Sequence, residues 1–317
     1  MAFEIPQVAY TGAIKELQLG DGPQALAVGG ATSYPFHLFE GKMPNPPGIA
    51  MEVYDNPPED WAPAALEPFQ GVLDDPVAWA QKCTGEYGAQ MICLQLVSTD
   101  PNGLDRPAAE AAALVKRVAA AVPVPLIVWG CANDEKDAEV LRQVAEAGEG
   151  RRLVLGPVSE GNYKQIGAAA IAYKHTVAAS TPIDINLCKQ LNILLADLGV
   201  PDGQIIVDPT TGGLGYGLEY SYSVMERSRM AALTQQDERL QFPLVCNLAK
   251  EVWKVKEVKT PEADDPKLGD ARKRGILMEA VTAMSLLLAG ADVLVMRHPA
   301  AIAQIRTAIA ALSVQTP

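Results

Sequence analysis

The sequence predicts an α/β fold, a (β/α)8 TIM barrel, and three observations carry that prediction. Short apolar runs recur eight times along the 317 residues. Each run is apolar on both faces rather than alternating, as strands buried in a parallel sheet are. Amphipathic stretches with helical periodicity separate them.

In order, the runs are residues 25–32 (ALAVGGAT), 90–97, 125–130, 152–158, 175–180, 204–210, 243–249 and 292–298. The stretch 106–122 carries Pro107 near a helix start and stops before Pro123. The stretch 133–150 opens on Asn133 or Asp134 as N-cap and closes in glycines. Residues 183–199 and 272–290 each end on a glycine, and 300–312 is the last helix. A doubly wound open sheet is the rival arrangement. Against it, no G-x-G-x-x-G turn follows the first run. One barrel over residues 1–317 is expected, with no second domain.

Two segments break the spacing. Residues 33–74 hold eight prolines, from Pro35 to Pro68, with Tyr34, Phe36, Phe39, Tyr54, Trp61 and Phe69. That is too aromatic for a disordered linker. It reads as a rigid arm, inserted after the first strand and packed on the barrel or on a partner. Residues 251–270 are charged and read as a solvated loop following the seventh strand. Both would rise from the C-terminal face, where barrels bind ligands.

Composition removes several classes. Net charge is −12, and the longest basic cluster is Arg272-Lys273-Arg274. Nucleic acid needs a basic surface and is not an expected partner. Apolar stretches are too short to span a membrane, and MAFEIPQVAY has neither a basic n-region nor an apolar h-region. The five cysteines are scattered and none forms C-x-x-C. No disulfide framework, zinc site or iron–sulfur cluster is therefore expected on this chain, and a reducing, cytoplasmic setting is.

The C-terminal strand ends supply the candidate ligand-binding side chains: Thr32, Ser33, Ser98, Thr99, Asp100, Asn133, Ser159, Glu160, Ser180, Thr181, Asp184, Asn186, Asp208, Thr210, Thr211, Asn247, Lys250, Arg297 and His298. Most are neutral and polar. His175 starts its strand and belongs to the opposite, stability face. Lys250 offers a Schiff-base lysine, but it begins a lysine-rich charged stretch. Asp208 precedes Pro209 and is held extended at the sixth strand's end. Its carboxylate either bonds a ligand's polar edge or caps the following loop. That loop, TTGGLGYG, carries Gly212, Gly213, Gly215 and Gly217 without a lysine, so it is no phosphate P-loop. Its glycines suit a flat or bulky ligand lying on exposed backbone, or simply the chain's own turn.

Two stretches, VDPTTGGLGYGLEYSYSVMERSRMAAL and GGATSYPFHLFEGKMPNPPGIAMEVYD, resemble the small (delta) subunit of corrinoid iron–sulfur proteins. That family serves the acetyl-CoA pathway of anaerobic bacteria and the decarbonylase/synthase complex of methanogenic archaea. The likeness covers essentially the whole chain and is nearest the bacterial form. It implies a TIM barrel related to pterin-dependent methyltransferases, in a heterodimer with a larger subunit that owns the iron–sulfur cluster and a corrinoid domain. The corrinoid (cobalamin) would lie over this chain's barrel mouth. Methyltetrahydrofolate would supply the methyl group through a separate methyltransferase, and acetyl-CoA synthase would receive it. The cofactor-binding set implied here is Asp208, Thr210, Thr211, Gly212, Gly213, Gly215, Asn247, Arg297 and His298, with no catalytic residue and no metal ligand. Two other readings stand beside it: a pterin-binding methyltransferase acting alone, using Asp208, Asn186 and Asn247, and an aldolase-type lyase using Lys250.

Overall fold

The computed structural model describes residues 6–314; the first five residues of the decapeptide read for a leader lie outside the described residues. A short antiparallel hairpin, β1 (Leu17–Leu19) and β2 (Leu26–Val28), comes first. Eight parallel strands follow: β3 (Gly48–Tyr54), β4 (Met91–Gln95), β5 (Leu126–Trp129), β6 (Val154–Val158), β7 (Thr176–Ser180), β8 (Ile205–Asp208), β9 (Val245–Asn247) and β10 (Val293–Met296). They pair in the order β8-β7-β6-β5-β4-β3-β10-β9. The ring closes where Val207 bridges Leu244, with the Val207 amide donating to the Pro243 carbonyl at 2.9 Å.

The helices are α1 (Pro63–Leu66), α2 (Pro76–Gly85), α3 (Ala108–Ala121), α4 (Asp134–Ala147), α5 (Tyr163–Tyr173), α6 (Ile185–Leu198), α7 (Leu218–Thr234), α8 (Ala249–Trp253), α9 (Lys256–Lys259), α10 (Ala271–Ala289) and α11 (Pro299–Leu312). Their ends follow local chemistry. Asn133 caps α4 by accepting from the Lys136 amide at 3.0 Å. Gly199 and Gly290 close α6 and α10 in the left-handed conformation. Within the strands, side chains alternate between two cores. Ile49, Met51, Val53, Leu94 and Leu294 face the helices. Ala50, Cys93, Ile127, Val154, Ala178, Ile206 and Val245 face the lumen.

The first strand differs from the sequence expectation. The run at 25–32 is no barrel strand: its hairpin places Leu17, Leu19 and Val28 in the lumenal core, so it plugs the barrel's bottom. The first barrel strand is β3, inside the segment read as an insertion after the first strand. Only residues 55–74 of that segment therefore follow the first barrel strand. There Trp61 and Phe69 are buried against Tyr54 and Trp79. Phe39, on the part before the strand, is exposed and stacks on His37. The second segment, read as a solvated loop, folds into α8 and α9 and buries Val252, Trp253, Val255 and Val258. Its lysines give it the look of a loop, but four apolar side chains at near-helical spacing fasten it down.

The plug is testable. Leu19 is wholly buried, and truncating such a side chain costs roughly 2–5 kcal/mol. Leu19→Ala should lower stability by that amount in urea unfolding while the free chain keeps its far-UV spectrum. A loss below about 1 kcal/mol would mean that the hairpin does not belong to the core.

Candidate functional site

Toward the C-terminal end the lumen turns from apolar to polar. The inward positions there are Glu52 and Tyr54 on β3, Gln95 on β4, Trp129 on β5, Ser180 on β7, Asp208 on β8, Asn247 on β9 and Arg297 after β10. Above them opens a cavity of about 440 Å3 bounded by Trp129, Ala132, Asp134, Pro157, Ser159, Ser180, Pro182, Asp208, Thr210, Thr211, Asn247, Lys250 and Glu251. A smaller recess of about 90 Å3 adjoins it, sharing Trp129, Asn247 and Lys250 and adding Gln95, Asp100 and Cys131. Pro157 reaches this rim where the β6–β7 register shifts, since a proline has no amide hydrogen for the ladder.

One wall rests on a buried ion pair. Arg297 Nε donates to Glu52 Oε2 at 2.7 Å, and both side chains are almost wholly buried. The guanidinium lies 3.4 Å from the Trp61 ring centroid, in cation–π geometry. Glu52 Oε1 accepts from Gln95 Nε2 at 3.1 Å, and the same nitrogen donates to Asn247 Oδ1 at 3.1 Å. Glu279 sits beneath, accepting from the amides of Arg297 and His298 and from Trp253 Nε1. Burial pushes its carboxyl up to about 7 against those three donors.

The opposite wall is the β8 loop. Asp208 Oδ1 accepts from the Thr210 amide at 3.0 Å, and Oδ2 accepts from Ser180 Oγ at 2.7 Å. The loop-capping role is thus realised while the carboxylate still borders the cavity. Thr210 takes a positive φ of 59°, costly for a β-branched residue, and its hydroxyl donates to the Thr181 carbonyl at 2.8 Å. Thr211 Oγ1 is buried with no nitrogen or oxygen partner; the Cys246 thiol beside it is a weak one. Ser221 stitches the loop to α7, accepting from the Gly212 amide and donating to the Thr210 carbonyl, both at 2.8 Å.

The glycines answer to the loop itself. A Cβ on Gly212 would lie 2.5 Å from the Gly217 backbone, and one on Gly213 would lie 3.1 Å from the Glu251 carbonyl. Gly215, at φ 78°, has open space around it.

Of the sequence candidates, Asp208, Thr210, Thr211, Asn247, Ser180, Ser159 and Lys250 meet around the main cavity. Gly212, Gly213 and Gly215 form the turn behind them. Arg297 and His298 lie across the barrel under Trp61 and Trp253, outside the cavity lining. His298 caps α11, its Nδ1 accepting from the Ala300 amide at 3.1 Å, and burial lowers its pKa to about 4. Lys250 is exposed, and Asn186 is exposed on the first turn of α6. His175 is buried at the stability face, held by the Leu153 amide and the Ala145 carbonyl. Sequence reading missed Glu52, Gln95 and Trp129. Gln95 and Trp129 sit inside runs read as uniformly apolar, and Glu52 sits in the strand read as an arm. Among the described residues, no three His, Cys, Asp or Glu side chains are grouped to hold a metal, and no helix is long and apolar enough to cross a membrane.

Asp208 makes stability depend on pH. Burial is the main cause that lifts its carboxyl from 3.8 to about 6; the Ser180 and Thr210 hydrogen bonds oppose the rise and nearby Glu251 adds to it. Because the folded pKa lies above the unfolded one, the folded chain holds a proton that the unfolded chain releases between pH 4 and pH 6. Stability falls through that window and levels above it. Asp208→Asn should therefore gain stability relative to the parent between pH 4 and pH 7, by up to about 3 kcal/mol. Parallel melting curves with a constant offset across that range would refute the assignment.

A model of the CO dehydrogenase/acetyl-CoA synthase delta subunit family matches residues 16–311. The acetyl-CoA decarbonylase/synthase complex subunit delta of Archaeoglobus fulgidus is 38% identical over 318 residues, which span 96% of this chain and 69% of that protein. Subunit delta 1 of Methanosarcina thermophila is 39% identical over 317 residues, 96% of this chain and 72% of that protein. Among solved structures, a Xanthomonas albilineans dihydropteroate synthase aligns with a TM-score of 0.61 at 14% identity, covering 95% of this chain and all (100%) of that one. A Coxiella burnetii dihydropteroate synthase aligns with a TM-score of 0.57 at 13% identity, over 95% and 100% of the two chains. These last two establish a shared barrel fold. On the family match and the two relatives, the chain belongs to the CO dehydrogenase/acetyl-CoA synthase delta subunit family.

Proposed function

We propose that this chain is the barrel subunit of a heterodimeric corrinoid methyl carrier. In this reading a larger subunit brings the corrinoid and the iron–sulfur cluster. A methyltransferase supplies the methyl group of methyltetrahydrofolate, and acetyl-CoA synthase takes it onward. The chain's own work is to cap the corrinoid and to scaffold the larger subunit, in a cytoplasmic setting.

The observation that carries the reading is the make-up of the mouth. It offers hydrogen-bonding groups held in place by second partners: Asp208 by Ser180, Thr210 by Asp208 and Thr181, and Asn247 by Gln95. The buried Thr211 hydroxyl lacks an oxygen or nitrogen partner at this rim, which suits a ligand that brings amide groups. The residues present therefore fit a corrinoid: Thr211, Asn247 and Lys250 would hold its periphery and Asp208 would face it. When bound, the cobalt supplies the methyl-accepting nucleophile and the protein supplies orientation and electrostatics. Asp208, carrying a carboxyl near neutral in pKa, would hold negative charge at the mouth above about pH 6.

The larger subunit would dock on an exposed apolar face. On α10, Leu277, Val281 and Leu288 are 53, 50 and 45% exposed and share one helical face. The adjoining α7 adds exposed Tyr220 and Met230. Patches of this kind mark protein interfaces.

The second reading, a pterin-binding methyltransferase acting alone, is favoured by one observation: Asp208 and Asn247 face one cavity, in a barrel of the fold shared with dihydropteroate synthases.

Co-expression with the candidate larger subunit decides between them. A coloured complex should be retained on the tagged chain, and Val281→Arg should weaken it at least about tenfold while the melting temperature of the free chain stays put. A colourless chain that demethylates methyltetrahydrofolate unaided would overturn the carrier reading in favour of the second.

A further inference from the structure

We propose that a relay starting at Arg297 locks the Asn247 amide with its nitrogen toward the mouth, so that this wall selects ligands presenting hydrogen-bond acceptors. A guanidinium only donates. Its partner Glu52 accepts from Arg297 Nε on Oε2, which leaves Oε1 as an acceptor for Gln95. Gln95 must then turn its NH2 group to Glu52. The second hydrogen on that nitrogen points to Asn247, which must answer with its oxygen. The Asn247 NH2 group is left facing the two cavities that Asn247 lines. Every orientation follows from the fixed charge of Arg297, buried under Trp61.

Asn247 does not act alone. Lys250 lines the same two cavities and has only donors, and on the neighbouring β8 loop Thr211 has a hydroxyl, able to donate or accept, without an oxygen or nitrogen partner. The β9 side of the mouth, Asn247 and Lys250, is thus a donor wall, next to the β8 loop that carries Asp208 and Thr211. Its ligand class is a molecule with amide or carboxylate oxygens on one edge. Resting on the carrier reading above, those oxygens are the peripheral amide carbonyls of a corrin ring.

Two measurements test this. The first is side-chain amide exchange by NMR on the full chain, with the two NH2 pairs identified by their loss in Asn247→Asp and in Gln95→Met. The Gln95 pair should exchange with water roughly 100-fold more slowly than the Asn247 pair, because both of its hydrogens are engaged and buried. Slower exchange of the Asn247 pair would overturn the relay. The second is titration of the complex with dicyanocobinamide, read by absorbance. Asn247→Asp keeps the acceptor toward Gln95 but turns an acceptor to the mouth, and should weaken binding about tenfold, the weight of one hydrogen bond. Equal affinity would overturn the donor wall. If the parent complex takes up no cobinamide, the carrier reading falls, and amide exchange still decides the relay.

Discussion

The Arg297–Glu52 ion pair is the constraint on which the mouth depends. Two opposite charges are placed in the lumen of a barrel whose lower half is apolar, with almost no water to solvate them. Such a pair costs several kcal/mol per ion in lost hydration, and persists only with good geometry and further hydrogen bonds. Here the Trp61 face, Gln95 and the Glu279-capped backbone of β10 supply them. The same pair dictates the loop that covers it. Residues 55–75 must bring Trp61 back over the guanidinium; Tyr54 and Trp79 pack edge-on against that ring, and Phe69 packs tilted on Trp79 behind it. The prolines that gave this arm its stiffness in the sequence let it do so with little entropy to lose.

Seven of the eight strands were legible because they are short, apolar and buried on both faces. The first was not, and the ion pair is the reason. The strand Gly48–Tyr54 has a glutamate within it and prolines on both sides, the marks of a loop. Glu52 is tolerated there only because Arg297, 245 positions away in sequence, meets it. Nothing local to residues 48–54 reports that partner. Conversely, residues 25–32 look like a strand because they are apolar, but their apolar side chains close the lumen from below instead of joining the ring.

The site was half legible for a similar reason. Asp208, Thr210, Thr211 and Asn247 could be found because they stand at the ends of recognisable strands. Arg297 and His298 stand at a strand end too, but each is committed to the protein: Arg297 to Glu52, and His298 to the α11 N-terminus and Trp253. Strand-end position alone does not distinguish a side chain that faces a ligand from one that holds the wall behind it. The glycines teach the same lesson. Gly212 and Gly213 are small because backbone packs against them, and the loop they form presents Thr210 and Thr211 to the cavity. In the proposal above, what the barrel mouth would offer a ligand is hydrogen-bonding direction, set from behind by charges the ligand would never touch.

The most direct test of that account is a double-mutant cycle on the ion pair, using Glu52→Gln, Arg297→Met and both together, with stability read by urea unfolding. Each single change strands a partner in the lumen and should cost about 3–5 kcal/mol, whereas the double variant should recover most of one such loss. A coupling energy of about 2 kcal/mol or more is therefore predicted. Additive losses, with coupling below about 0.5 kcal/mol, would show that the two residues are independent and that the mouth is not organised around them.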